Sequence, residues 1–160
     1  MKIIEYLKNT GLLDIEIDRE RNNIFKRSYA YSLTSAHLSK AEHNLKFSQD
    51  TDYEYIDWKI VGLYYAVYHS ALGLLAKKGF IIKSHNAAFL MLIKMYKISI
   101  EDARLIDSLS KEDAEFYLML KEERTKANYS TNVIYTKEMF KDLQKQAIIF
   151  INKVKTILTN

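Results

Sequence analysis

Residues 60–76, with the sequence IVGLYYAVYHSALGLLA, decide the fold because they form the most apolar stretch of this 160-residue chain. The stretch contains His69, Ser70 and two glycines, and it is about 17 residues long, whereas a membrane-spanning helix needs roughly 20 predominantly apolar residues. An apolar run of this kind is typical of the central helix of a soluble bundle. We therefore predict a central helix over residues 53–78, ended by Gly79.

The composition excludes several classes of protein. The chain has no proline, no cysteine and only four glycines, so it carries no disulfide framework, thiol nucleophile or cysteine-ligated zinc, and a turn-dense β architecture is disfavoured. Acidic residues occur too early in MKIIEYLKNTGLLDIEID for an export signal, so we expect a cytoplasmic protein. The net charge of +4 permits an anionic partner such as RNA without requiring one.

Helical periodicity continues on both sides of the central helix. Further helices are predicted over residues 3–9, 18–47, 84–96 and 110–129, in a short segment from Ser99, and over 136–158. A polar break at residues 48–52 precedes the central helix, and Asp52, Ser84 and Ser110 are predicted caps. These segments indicate an all-α protein, an antiparallel bundle of five to six helices that forms a single domain over residues 1–160.

The central helix carries two unusual features. Small residues recur along one face at steps of four, four and three, and such a ridge lets another helix or a ligand approach closely: Gly62, Ala66, Ser70 and Gly73. Next to this ridge lie His69 and a group of tyrosines at positions 64, 65 and 68. The position of His69 is compatible with a structural, hydrogen-bonded imidazole and also with a functional one. The tyrosines suit core packing, a half-buried cleft or a subunit interface, and we expect a homodimer that uses this helix.

Arg124 stands out in the segment KEERTKANYS because it continues the apolar stripe of Phe116 and Leu120. A guanidinium among apolar residues needs a partner, since an unpaired buried charge is costly. Either a structural carboxylate or an anionic ligand would satisfy it, and spacing alone leaves both open. The chain contains no phosphate-binding glycine loop, no zinc-protease motif and no histidine pair at helical spacing, so we expect neither a metal nor a cofactor.

Four segments, in this order, resemble HEPN-domain proteins, in particular the small stand-alone bacterial and archaeal branch called UPF0332. They are AYSLTSAHLSKAEHNL, IVGLYYAVYHSALGLLAKKG, KSHNAAFLML and ERTKANYS, and the resemblance covers about residues 25–158. The last segment departs from that branch's pattern at Asn128, where aspartate is usual.

The resemblance implies a helical bundle that dimerises and binds nucleotides or RNA. Many HEPN proteins are metal-independent endoribonucleases, often toxins paired with a small nucleotidyltransferase, and these carry an arginine followed after four to six residues by a histidine. Arg124 matches the arginine, but Tyr129 stands five positions later and no histidine follows His85. Tyrosine, with a pKa near 10, is a poor base at neutral pH. The resemblance therefore leaves catalytic activity undecided.

Three functions remain open at this point: a module that binds a nucleotide or RNA and works with a protein partner, a divergent ribonuclease, and a structural scaffold. For a binding site we expect Arg124, Asn128, Tyr129, His85 and Tyr65 to contact the nucleotide or RNA. For a ribonuclease we expect Arg124 and His69 to be the catalytic pair, with His85 as the alternative histidine. Both hypotheses require the central helix to pack beside the helix that carries Arg124.

Overall fold

The computed structural model describes residues 3–96 and 109–160, and within these ranges it contains seven α-helices and one small sheet. The helices are α1 (Ile3–Asn9), α2 (Leu12–Arg19), α3 (Thr34–Asp50), α4 (Ile56–Lys77), α5 (His85–Met95), α6 (Lys111–Tyr129) and α7 (Lys137–Thr159). The strands are β1 (Ile24–Lys26) and β2 (Phe80–Ile82), and short 3₁₀ turns occupy Arg21–Asn23, Ser28–Leu33 and Tyr53–Tyr55. The all-α bundle expected from the sequence is confirmed.

Helix α4 is the centre of the bundle, as its apolar sequence predicts. It packs against α3, α5, α6 and α7, and 15 of its 22 residues are buried. The helix ends where Gly79 adopts a φ of 91°, a left-handed conformation that glycine takes without strain, and the Gly79 N–H donates to the Ala76 carbonyl at 2.9 Å. No described helix is long and apolar enough to cross a membrane.

The small-residue ridge of α4 receives a helix, not a ligand. A Cβ placed on Gly62 would lie 3.0 Å from the Phe47 ring and 3.1 Å from Ser48 Cβ, both on α3. At the other end of the ridge, Gly73 faces His37 and Thr34, again on α3. The two helices approach closely because side chains are missing or small along this line.

The predicted continuous helix over residues 18–47 is wrong. Helix α2 ends at Arg19, and the chain forms β1 and a 3₁₀ turn before α3 begins at Thr34. Strand β1 pairs antiparallel with β2, with Ile24 opposite Ile82. This pairing joins segments far apart in sequence, so local periodicity could not reveal it. Because the predicted long helix is divided, the described residues contain more helices than the five to six expected.

The predicted break at residues 48–52 begins too early. Helix α3 continues to Asp50, because Ser48 is buried and its hydroxyl donates to the Lys59 carbonyl at 2.7 Å. Buried Lys59 in turn donates to the carbonyl of Thr51 at 2.5 Å, just past the end of α3. The side chain of Asp52 caps the 3₁₀ turn before α4, where it accepts from the N–H of Glu54.

The predicted caps of the later helices are confirmed. Ser84 accepts from the N–H of Ala87 at the start of α5, and Ser110 forms a reciprocal capping box with Asp113 at the start of α6. The short helix predicted from Ser99 lies outside the described residues. The Ser84 cap matters for function because it fixes the first turn of α5, which carries His85.

Candidate functional site

Helices α4 and α5 bring three tyrosines and His85 together. On α4, Tyr64 and Tyr68 are four residues apart and Tyr65 lies between them, so all three project toward the same side of the bundle. The His85 ring stacks on Tyr68 with ring centroids 4.3 Å apart, and it lies 6.0 Å from Tyr65. We call Tyr64, Tyr65, Tyr68 and His85 the aromatic cluster.

A short hydrogen bond joins Tyr64 to His85. The Tyr64 hydroxyl lies 2.5 Å from Nδ1 of His85, and Tyr64 itself is fully buried. Burial raises the pKa of Tyr64 above its usual range, although the nearby Tyr117 hydroxyl and the charge of Arg124 act in the opposite direction. Tyr64 therefore keeps its proton at neutral pH.

Arg124 reaches the aromatic cluster from α6. Its guanidinium carbon lies 5.0 Å from the centroid of the Tyr64 ring, which is a cation–π arrangement. Its Nε is buried and has no hydrogen-bond partner among the described residues. Within the same residues no carboxylate pairs with Arg124, and neighbouring Glu123 instead pairs with Lys126 at 2.9 Å. A structural ion pair for Arg124, one of the two interpretations left open by the sequence, is therefore absent from the described part of the chain.

Positive charge accumulates around His85. Burial lowers the pKa of His85, and the positive charges of Arg124 and Lys121 lower it further. The pKa of Lys121 is itself lowered by burial and by Arg124, while Glu122 and Glu20 act to raise it. His85 is thus neutral at physiological pH, beside two cations that lie three residues apart on α6. Such a group of donors suits an anionic ligand.

His69 lies on the other side of the aromatic cluster. Its Nδ1 is 3.3 Å from Nδ1 of His37 on α3, and its ring centroid is 5.6 Å from that of Tyr68. Burial lowers the pKa of His69 to about 4, helped by the neighbouring His37, Lys40 and His85. His69 contacts His37 and Tyr68, and Tyr68 in turn stacks on His85.

The other expected binding residues occupy two places. Tyr65 is half-buried in the aromatic cluster, next to Tyr64 and His85. Asn128 and Tyr129 are exposed at the end of α6, and 78% of the Tyr129 surface is accessible. The structure thus brings together Arg124, His85 and Tyr65, and it leaves Asn128 and Tyr129 at the edge.

Sequence reasoning missed three residues of this region. Lys121 could have been found, because a position three residues before Arg124 lies on the same face of a helix. Tyr117, whose ring centroid is 6.2 Å from that of Tyr64, lies two turns before Arg124 and reads as an ordinary apolar position. His37 gives no local signal, because it meets His69 only through the packing of α3 on α4.

No group of three or more potential metal ligands occurs in the described ranges, 3–96 and 109–160. The aromatic cluster and Arg124 together offer hydrogen-bond donors, a fixed positive charge and aromatic faces. These are groups that hold phosphates and bases.

Comparisons with known proteins agree with the resemblance found in the sequence. A search of curated proteins found no match. A family model described as the HEPN domain matches residues 34–157, which include Arg124, His69, His85 and the three tyrosines. HEPN domains commonly dimerise, and membership supports a function related to nucleotides or RNA in general. Because the match spans well over half of its length, this chain belongs to the HEPN domain family.

Proposed function

We propose that this protein binds a nucleotide or RNA through a phosphate group held by Arg124 of α6 and His85 of α5. The observation that carries the proposal is the state of Arg124: its guanidinium lies over Tyr64, its Nε is buried, and no described carboxylate neutralises it. An unsatisfied buried donor costs about 1–3 kcal/mol, so its retention calls for a compensating partner. A phosphate group is a suitable partner, because the planar guanidinium donates to two of its oxygens at once.

The neighbouring residues support the same ligand class. Lys121 adds a second positive charge beside Arg124, and its Nζ donates to the Asn86 side chain at the start of α5. Tyr65, half-buried beside His85, offers an aromatic face to a base. In this proposal Asn128 provides amide hydrogen bonds to the ligand and exposed Tyr129 stacks on a further base, as aromatic residues do in proteins that bind single-stranded RNA.

Arg124→Ala tests the proposal by fluorescence anisotropy with a labelled single-stranded RNA at low salt, where phosphate contacts contribute most. Losing a charged hydrogen bond of about 1.5–3 kcal/mol should weaken binding by roughly tenfold or more. Lys126→Ala is the matched control, because Lys126 is on the same helix, is exposed and carries the same charge. We expect this control to change affinity by less than about threefold, as a rim charge should.

Circular dichroism should show the same helical content in both variants. If Arg124→Ala and Lys126→Ala bind RNA equally well, Arg124 has a structural role only and the proposal fails.

A metal-independent endoribonuclease is the second candidate, favoured by one observation. His85 contacts Tyr64, and Arg124 covers the ring of the same tyrosine, so a histidine lies close to the arginine although the usual spacing on one helix is missing. In that reaction Arg124 would stabilise charge on the phosphate and a histidine would activate the 2′-OH. His85 is the histidine considered for this role, because the charge of Arg124 acts on His85 and is not among the causes that shift the pKa of His69.

RNA incubated with the protein in excess chelator distinguishes the two functions. Cleavage that disappears in both Arg124→Ala and His85→Gln would support the ribonuclease. Binding without cleavage, which we expect, supports the binding module. The resemblance further implies a small nucleotidyltransferase as protein partner, and an adjacent gene encoding such an enzyme would support a toxin–antitoxin pair.

A further inference from the structure

We infer that the Tyr64 hydroxyl holds His85 as a neutral imidazole with its proton on Nε2, so that His85 serves the site as a hydrogen-bond donor and not as a base. Tyr64 is then a positioning residue, acting on the ligand only through His85. Only the identity of the ligand rests on the proposed function; the state of the imidazole follows from contacts within the chain.

The direction of the hydrogen bond follows from the groups around Tyr64. A phenol has one proton to donate, and the Tyr64 oxygen has His85 Nδ1 at 2.5 Å. Arg124, above the ring, has only donors and cannot accept that proton. The Tyr117 hydroxyl, buried beside Tyr64, lowers the pKa of Tyr64, as a group that donates to the Tyr64 oxygen does, so it does not accept the Tyr64 proton. The Tyr64 proton is therefore directed at Nδ1 of His85.

The surroundings keep His85 neutral. From α6, the positive charges of Arg124 and Lys121 oppose a further positive charge. From α4, the side chains that face His85 are Tyr64, Tyr65, Tyr68 and His69. The Glu20 carboxylate, near the start of α5, is occupied by hydrogen bonds from Ser84 and Asn23. Burial, followed by the positive charges of Arg124 and Lys121, lowers the pKa of His85.

A neutral imidazole that accepts at Nδ1 carries its proton on Nε2. The two ring nitrogens point in different directions, so Nε2 is turned away from Tyr64. Nε2 makes no hydrogen bond with a described residue and is not among their buried unpartnered atoms, so it keeps some accessible surface. His85 can then donate to a phosphate oxygen beside Arg124. Since its lone pair is already engaged at Nδ1, His85 in this state does not abstract a proton from a 2′-OH.

Nitrogen-15 NMR of the histidine side chains tests the state of His85 directly, in the full chain without ligand at neutral pH. His85→Gln identifies the His85 signals among the four histidines. We expect a protonated Nε2 and an unprotonated, hydrogen-bonded Nδ1. A protonated Nδ1 of His85 in the wild-type protein would overturn the inference.

Tyr64→Phe removes only the hydroxyl and should shift the Nδ1 signal of His85 and increase the fraction with the proton on Nδ1. Tyr68→Phe is the matched control, because Tyr68 stacks on the same ring but its hydroxyl is not hydrogen bonded to it, and it should leave the Nδ1 signal unchanged. An unchanged Nδ1 signal in folded Tyr64→Phe would contradict the role of Tyr64.

RNA affinity tests separately whether His85 acts as a hydrogen-bond donor to the ligand. His85→Gln places an amide N–H near the position of Nε2 and should retain most of the affinity, whereas His85→Ala should lose severalfold. Equal losses in both variants would contradict the donor role. If Arg124→Ala binds RNA like the wild type while the NMR result holds, the proposed function fails and the state of His85 stands.

Discussion

Half-buried ionisable side chains set the chemistry of this protein at the scale of single residues. The Arg124 guanidinium lies over an aromatic ring, whereas at His85 and His69 burial and nearby positive charges favour the neutral imidazole. The apolar stripe through Phe116 and Leu120 locates Arg124 correctly from sequence alone. The stripe does not show which side chain packs against Arg124, since Tyr64 belongs to another helix.

The His37–His69 contact predicts a pH dependence of stability. The pKa of His69 is about 4 in the folded protein and about 6.5 when unfolded, so between these values the unfolded chain binds more protons. The contribution of neutral His69 to the free energy of unfolding is fully present above about pH 6.5 and is lost as the pH falls toward 4. Thermal unfolding at about pH 7.5 and about pH 5 should show a smaller loss in His69→Gln than in the wild type, because glutamine does not titrate.

His43→Gln is the control for this prediction, since His43 is exposed on the same helix as His37. It should lose stability on acidification as the wild type does. A loss in His69→Gln equal to that of the wild type would show that other titrating groups account for the acid sensitivity.

At the scale of elements, the close approach of α3 to α4 decides how the central helix is buried. The ridge was predicted from four small residues, and the structure shows that its two glycines differ. A Cβ on Gly62 would meet Ser48 Cβ at 3.1 Å and the backbone oxygen of Asn44 at 3.3 Å, neither of which rotates away. A Cβ on Gly73 would have its nearest neighbours at 3.6 Å, which is ordinary van der Waals contact.

Alanine at these two positions should therefore have opposite effects. Gly73→Ala gains helix propensity and should stabilise the protein by up to about 1 kcal/mol. Gly62→Ala has the same propensity gain but overpacks the interface, so we expect it to be less stable than Gly73→Ala by roughly 1–3 kcal/mol. Urea unfolding measures both free energies. Equal stabilisation by the two substitutions would mean that α3 moves away without cost.

For the whole molecule, the family match begins at residue 34, after α1, α2 and β1. This N-terminal segment packs against α5: Lys94 of α5 pairs with Asp14 at 2.9 Å, and the cap residue Ser84 donates to Glu20 at 2.7 Å. The segment thus supports the helix that carries His85 from outside the range matched by the family model.

The homodimer expected from the sequence remains a prediction, and the structure limits which side chains of α4 could contact a second copy. Tyr64 and Tyr68 are buried within the chain, so of the three α4 tyrosines only Tyr65 keeps accessible surface for a partner. Large apolar side chains are instead exposed in the connection between α6 and α7, where Val133 is 37% and Ile134 85% accessible. Exposed apolar groups of this kind often mark an interface.

Light scattering should give about twice the mass of 18.8 kDa at micromolar concentration, consistent with the dimers common in this family. Ile134→Glu should shift the protein toward the monomer, because a charge buried at an interface is costly. Ile15→Glu on α2 makes the same change at another exposed position and should remain dimeric. A wild-type mass of 18.8 kDa up to millimolar concentration would contradict the dimer.

The sequence by itself determined the features that arise from neighbouring residues. The central helix, its end at Gly79 and the caps at Ser84 and Ser110 follow from apolar runs and from hydrogen bonds that span only a few residues. The same local information identified Arg124 as a charge on an apolar face and carried the resemblance to HEPN domains.

Only the tertiary structure decided which of these groups meet. Residues 24–26 extend as a strand because residues 80–82 lie beside them, although their own periodicity favours helix. His69 packs on His37, while His85 contacts Tyr64, whose ring lies under the guanidinium of Arg124. The physical reason is the same in each case: these contacts join segments that are tens of residues apart, and their geometry depends on how α3, α5 and α6 pack around α4.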